Sequence, residues 1–232
     1  MARPIPEELS NTVQHYLKCL YEEQQKNPSQ QIAMGKVASA MEVTPGTATS
    51  MMKSLHHSGL VEYQPRGGTA LTKKGELEAL NVIRRHRLIE AFLVQVMELD
   101  WSEVHEEADR LEHAISDRVL ARIDQMLGYP THDPHGDPIP KADGTISKRS
   151  LRPLTAFSTG HRVRIARVTD ESKAFLELLN RYDLAPGIEL TIQEVNEAAD
   201  AVILSLMQHA DRLITLGTKA AGKLLAEPME ED

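Results

Sequence analysis

The period of the apolar residues changes once along this chain, and that change limits what it can fold into. Up to about Leu127 the apolar residues recur every three to four positions; after Pro153 they alternate with polar ones. The first spacing is that of a helix buried on one face, the second that of a half-buried strand. Between them, Gly128 to Pro153 is rich in Pro, Gly, Asp and His and poor in apolar residues, which predicts a loop or linker.

The helical part divides further. Leu9, Val13, Leu17 and Leu20 mark a helix over Pro6 to Gln25, stopped by Asn27-Pro28-Ser29. Ile32 to Met41 reads as a short helix with Val37 and Ala38 inward. Thr44 is an N-cap with Pro45 behind it, opening a helix to about His57 that buries Met51, Met52 and Leu55 before Gly59 stops it. Leu60–Tyr63 and Thr69–Thr72, joined by Pro65-Arg66-Gly67-Gly68, read as a hairpin. Helix, short helix, turn, helix, hairpin is the order of a winged helix-turn-helix. Two long amphipathic helices are expected next, Lys74 to Met97 and Glu103 to about Leu127 with Val104, Ala108, Leu111, Ile115 and Val119 inward. Adjacent helices of this kind suit a dimerisation layer as well as a monomer core. Past Pro153, strands at 163–168, 188–195, 201–207 and 213–216 around a helix at 174–179 suggest an SH3-like barrel of about 70 residues. The expected fold class is therefore mainly α with small β. Its parts are a winged helix-turn-helix at 1–74, a helical dimerisation domain at 75–128, a linker at 129–153 and an SH3-like barrel at 154–232.

Composition removes several classes. One cysteine in 232 residues, Cys19, excludes an internal disulfide and a cysteine-rich zinc site. Cys19 itself reads as a small buried hydrophobe. No apolar run approaches the ~18–20 residues of a membrane span, and Met1 to Ser10 carries no apolar core of a signal peptide, so a cytoplasmic chain without membrane contact is expected. The formal charge is −8 but unevenly spread. Residues 1–75 hold eight Lys/Arg against six Asp/Glu, and the remainder 18 against 28. A mildly basic end on an acidic body fits a nucleic-acid contact confined to that end.

The chemistry concentrates on three helices. Asp109, Glu112 and His113 are spaced i, i+3, i+4 and share a helix face, with His105 one turn earlier. His86 and Glu90 form an i, i+4 pair on the preceding helix. His15 lies off the apolar stripe of the first helix and is free to meet something other than core. Imidazole nitrogen with carboxylate oxygen, and no thiolate, is a ligand set for Mn(II), Fe(II), Co(II) or Zn(II). His132 and His135, in the Pro/Gly loop, are expected to be solvated, and Trp101 to be a core or capping anchor.

The runs Arg84-Arg85-His86-Arg87-Leu88-Ile89-Glu90 and His105 to Asp117, with the loop Gly136-Asp137-Pro138-Ile139-Pro140 and the tail Leu213-Ile214-Thr215-Leu216-Gly217, resemble the DtxR/MntR family of metal-dependent repressors. The resemblance extends over nearly the whole chain, and the tail resembles a FeoA-type ending. It implies a transcriptional regulator rather than an enzyme: a homodimer that binds double-stranded operator DNA when Mn(II) or Fe(II) is present. It implies a primary metal site of His15, Asp109, Glu112 and His113, and an ancillary one of His86, Glu90, His105 and Glu171. Iron-responsive members carry Cys at the position of Asp109 and Met at that of His15. A hard carboxylate in place of sulfur shifts the expectation towards Mn(II). The DNA-contacting residues implied are Thr44, Pro45, Thr47, Thr49, Ser50, Lys53 and Arg66. Two alternatives are a metal-independent helix-turn-helix regulator sensing an organic ligand and a metal-dependent hydrolase, although the chain has no Gly-rich phosphate loop and no nucleophile elbow.

Overall fold

A computed structural model describes residues 9–26 and 31–229. The expected helix start at Pro6 and the Asn27-Pro28-Ser29 stop lie outside the described residues. The chain divides into two compact units, residues 1–85 with 140–145, and 86–139 with 146–232.

In the first unit, α1 (Asn11–Lys26), α2 (Met34–Ala40) and α3 (Pro45–His57) precede a hairpin of β1 (Val61–Gln64) and β2 (Gly68–Leu71). The hairpin pairs Val61 with Leu71 and Gln64 with Gly68, and Gly68 takes φ +107°, open to glycine. Leu17, Leu20, Val37, Ala48, Met52 and Leu55 are buried, while Met51 is only half-buried. Thr44 caps α3 as its sequence position predicts, its hydroxyl accepting from the Thr47 amide at 3.2 Å. Cys19 is half-buried, and burial with the carboxylates Glu22 and Glu23 pushes its thiol up to about 11.

Helix α4 (Lys73–Gln95) follows, with Thr72 accepting from the Gly75 amide at its start. The expected single helix from Glu103 to Leu127 is instead two: α5 (Val104–Leu111) and α6 (Asp117–Met126). The break has a local cause. The Ser116 side chain accepts from the Val119 amide and starts a new helix, so the stripe continues across a gap in the hydrogen-bond ladder.

The C-terminal sheet has the order β3-β8-β4-β5-β6-β7, antiparallel throughout. Its strands are β3 (Arg152–Pro153), β4 (Arg162–Val168), β5 (Glu189–Asn196), β6 (Ala201–Leu206), β7 (His209–Gly217) and β8 (Leu224–Pro228). Two helices, α7 (Lys173–Arg181) and α8 (Thr218–Ala221), complete it. Val163, Ile165, Leu176, Leu179, Leu190, Ile192, Val202 and Leu204 form its core. The small β portion is therefore a strand-rich barrel around one apolar centre, as the alternating pattern predicts.

The segment expected to be a linker is irregular but packed at its centre. Asp133 accepts from the amides of His135 and Asp137, both at 2.9 Å. Gly136, at φ +87°, lies so close to β4 that a Cβ there would stand 2.0 Å from the Ala166 carbonyl oxygen. Asp137 is tied to Arg87 of α4 and Arg167 of β4, at 2.8 and 2.7 Å. His135, expected in solvent, is fully buried, and His132 is half-buried. Composition misleads here because the loop's own polar groups satisfy one another and the arginines, which makes burial affordable.

Candidate metal centre

Helix geometry carries out the first step of assembly. His86 and Glu90 stand one turn apart on α4, and His105 and Asp109 one turn apart on α5. Glu112 is the C-cap of α5, with His113 next, so the break before Ser116 ends the helix at the ligands themselves.

Two further elements, the barrel and the packed loop, converge on this pair of faces. Nδ1 of His86 lies 2.8 Å from Glu112 Oε2 and 3.2 Å from Asp109 Oδ1. Its Nε2 lies 2.9 Å from Glu90 Oε1. His105 Nδ1 is 3.1 Å from the same Glu90 oxygen and 3.2 Å from Oε2 of Glu171, which the barrel supplies between β4 and α7. His113 Nε2 is 3.2 Å from Glu112 Oε1. The packed loop adds Asp133 and His135, which with Glu90 offer ligand atoms all within 4.8 Å of one another. Nδ1 of His135 is buried without a hydrogen-bond partner, 3.9 Å from Glu90 Oε2. His86, Glu90, Glu112 and His135 are each 4% exposed or less.

So many ionisable groups in so little water shift one another. Burial alone would depress the His86 imidazole, but bonds to Asp109, Glu112 and Glu90 hold it well above the ordinary histidine range. Bonds to Glu171 and Glu90 lift His105 to about 9 against the opposing effect of burial. Burial would raise Glu90, yet the two imidazoles hold its carboxyl well below the usual range. Asp133 goes the other way: burial, then the carboxylates of Glu90 and Asp137, push it well above. Held above the ordinary range, the His86 and His105 rings place positive charge beside the ionised carboxylates of Glu90, Glu112 and Glu171.

Of the residues singled out by sequence, six meet here: His86, Glu90, His105, Asp109, Glu112 and Glu171. His113 adjoins them through Glu112. His86 touches carboxylates from both expected sets, so the two sets share a boundary at its ring. His15 stands exposed on α1 in the first unit. Asp133 and His135 escaped the sequence reading. The available signal was their i, i+2 spacing beside Gly136-Asp137-Pro138, which sets two ligand types in a loop rigid enough to aim them.

On α3, Thr44 and Thr47 bond hydroxyl to hydroxyl at 2.9 Å as part of the cap. Thr44, Pro45, Thr47, Ser50 and Lys53 are exposed and Thr49 half-buried. Arg66 is exposed in the β1–β2 turn at φ +66°.

Family models match along the chain in three blocks. The iron-dependent repressor N-terminal DNA-binding domain matches residues 8–69, the iron-dependent repressor metal-binding and dimerisation domain 72–141, and the FeoA domain 152–228. The iron-dependent repressor IdeR of Mycobacterium tuberculosis is 35% identical over 198 residues, spanning 80% of this chain and 85% of that protein. The diphtheria toxin repressor of Corynebacterium diphtheriae is 30% identical over 196 residues, with the same two shares. A solved manganese-dependent transcriptional repressor in complex with manganese superposes with a TM-score of 0.84 at 33% identity, covering 94% of this chain and all of that one. ScaR with bound Cd2+ superposes at 0.75 and 30% identity, covering 94% of this chain and 99% of that one.

Proposed function

This chain belongs to the iron-dependent repressor family and is a metal-dependent DNA-binding transcriptional repressor; from that premise we propose that Mn(II), ahead of Fe(II), is its corepressor and that it grips operator DNA as a homodimer. The observation that carries the reading is the convergence of imidazole and carboxylate groups from α4, α5, the packed loop and the barrel on one spot, where His86, Glu90, Glu112, Asp133 and His135 are buried. The donor set fits the proposed ions. It is all nitrogen and oxygen, which suits hard to borderline cations, and Asp109 stands where a soft thiolate would favour others. The unpartnered buried Nδ1 of His135 is a lone pair in need of a positive partner.

The primary ligands proposed are Asp109, Glu112 and His113, with His15 contributed by the DNA-binding unit; His15 enters through the sequence resemblance. The ancillary ligands are His86, Glu90, His105 and Glu171, to which the loop adds Asp133 and His135. When bound, the cation would supply the positive charge that the imidazolium groups otherwise provide. His86 and His105 would then act as neutral donors, the carboxylates of Glu90 and Glu171 would stay ionised, and Asp133 would give up its proton. The operator contacts proposed are Thr44, Pro45, Thr47, Thr49, Ser50, Lys53 and Arg66, mostly hydroxyls and cations suited to phosphate and shape readout. The dimer face proposed is the apolar groove between α4, α5 and α6. No helix among the described residues is long and apolar enough to cross a membrane, and the proposed place of work is the cytoplasm.

Coupling between the binding of metal and of operator DNA is typically ~1–3 kcal/mol, about 5- to 150-fold in affinity, and is reciprocal. The test is an anisotropy titration of duplexes selected from random sequence in Mn(II), repeated in Fe(II) under reducing conditions and in EDTA. Binding in Mn(II) that falls at least fivefold in EDTA supports the reading. Affinity unchanged by chelation would replace it with a regulator sensing an organic ligand.

A further inference from the structure

His135 is held on the side away from Glu90 as firmly as it is bare on the other. Its Nε2 lies 3.0 Å from the main-chain carbonyl oxygen of Trp101. A carbonyl only accepts, so Nε2 carries the proton and the lone pair of the neutral ring falls on Nδ1, the atom without a hydrogen-bond partner. The Trp101 indole stacks on the same imidazole, centroids 5.5 Å apart and planes 25° apart.

The turn that holds Trp101 is anchored in its turn to the barrel. The indole Nε1 donates to Asn180 Oδ1, at the end of α7. Asn180 Nδ2 donates to both carboxylate oxygens of Asp100 at 3.1 Å. Asp100 accepts from the Ser102 amide at 2.8 Å and hydroxyl at 2.5 Å, closing the turn. Trp101 also packs against the barrel core.

We propose that Trp101, fastened by Asn180, is the positioning residue that fixes the tautomer and orientation of His135 and so presents Nδ1 to a cation beside Glu90 and Asp133. The proposal rests on the reading above that a cation takes that corner. It gives the barrel a second part in metal binding besides Glu171: α7 acts through two residues that touch no ion. Groups that orient a histidine ligand commonly contribute 10- to 100-fold to metal affinity.

Trp101 is the chain's single tryptophan, so it reports on its own site. The full-length protein, freed of metal, is titrated with Co(II) while indole emission is followed. Cobalt binding is measured in parallel by calorimetry for wild type, His135→Ala, Asn180→Ala and Trp101→Phe. The 15N shifts of His135 are recorded without metal. The expected result is saturable quenching that His135→Ala abolishes, and about tenfold weaker binding of the same step in Asn180→Ala and Trp101→Phe. The 15N shifts should report an Nε2–H ring in wild type and mixed tautomers in Asn180→Ala, whose exposed side chain can be truncated without opening the core. If both variants bind that cobalt ion as tightly as wild type while His135→Ala does not, the positioning role is wrong and the site stands. If His135→Ala binds as many ions as tightly as wild type, the corner itself is not a site and the proposal falls with it.

Discussion

At the scale of single residues, His105 has the most to report. Its imidazole sits near 9 when folded, raised by Glu171 and Glu90, against an ordinary value near 6.5. A raised value means the protonated ring stabilises the fold fully below about pH 6.5, and that this contribution is lost as pH climbs through 9. His86 shifts the same way. In EDTA the thermal midpoint should therefore fall between pH 6.5 and 9.5, and the fall should shrink in His105→Gln; a flat profile would contradict the assigned partners. Metal responds with the opposite sign. Protons compete for both rings, so Mn(II) affinity should rise across that window, by up to about tenfold per pH unit for each proton released. Asp109, with 42% of its side chain exposed, invites a second test. Asp109→Cys sets a soft donor on the same face, and Zn(II) or Co(II) should gain at least about tenfold over Mn(II) in competitive titration. Unchanged selectivity would remove Asp109 from the ligand set.

At the scale of elements, the loop at 131–140 decides more than its composition suggests. Gly136 lets the β4 backbone approach, and Asp133 and His135 are placed by the turn around it. Gly136→Ala combines a strained φ with a Cβ inside the Ala166 carbonyl, and urea unfolding should show a loss of more than about 2 kcal/mol. A loss below about 0.5 kcal/mol would mean the approach is not fixed. The helices were readable in advance because their signals are local. Thr44 with Pro45 announced the start of α3, and the His86–Glu90 and His105–Asp109 pairs were visible as one-turn spacings. The break between α5 and α6 was legible too, in Ser116-Asp117, but the apolar stripe runs straight across it and the stripe masks the cap. The limits of β4, β5 and β6 followed the alternation to within a residue, because alternation records which face is wet; β3, β8 and the start of β7 carried too little of it to be read.

At the scale of the whole molecule, an apolar groove among the described residues bears on assembly. A groove of about 550 Å3 between α4, α5 and α6 is lined by Ile89, Phe92, Leu93, Met97, Leu111 and Val119, among others. Val119 is 49% exposed and Met97 55%. Exposed apolar surface of this kind marks an interface. Val119→Glu should convert the proposed dimer to monomers in sedimentation velocity, and weaken operator binding tenfold or more, since two half-sites can no longer be held together. A dimer that survives the charge would move the interface elsewhere. The winged helix-turn-helix order, the helical ligand pairs and the nitrogen-and-oxygen donor type were contained in the chain itself, because period, caps and donor type act within a turn or two of helix. The meeting of Glu171, Asp133 and His135 with α4, and the tie from Asn180 through Trp101, belong to tertiary structure alone. They join residues 34 to 81 positions apart, and only the packing of a barrel against helices, with a glycine thin enough to let them touch, brings such residues within reach of one ion.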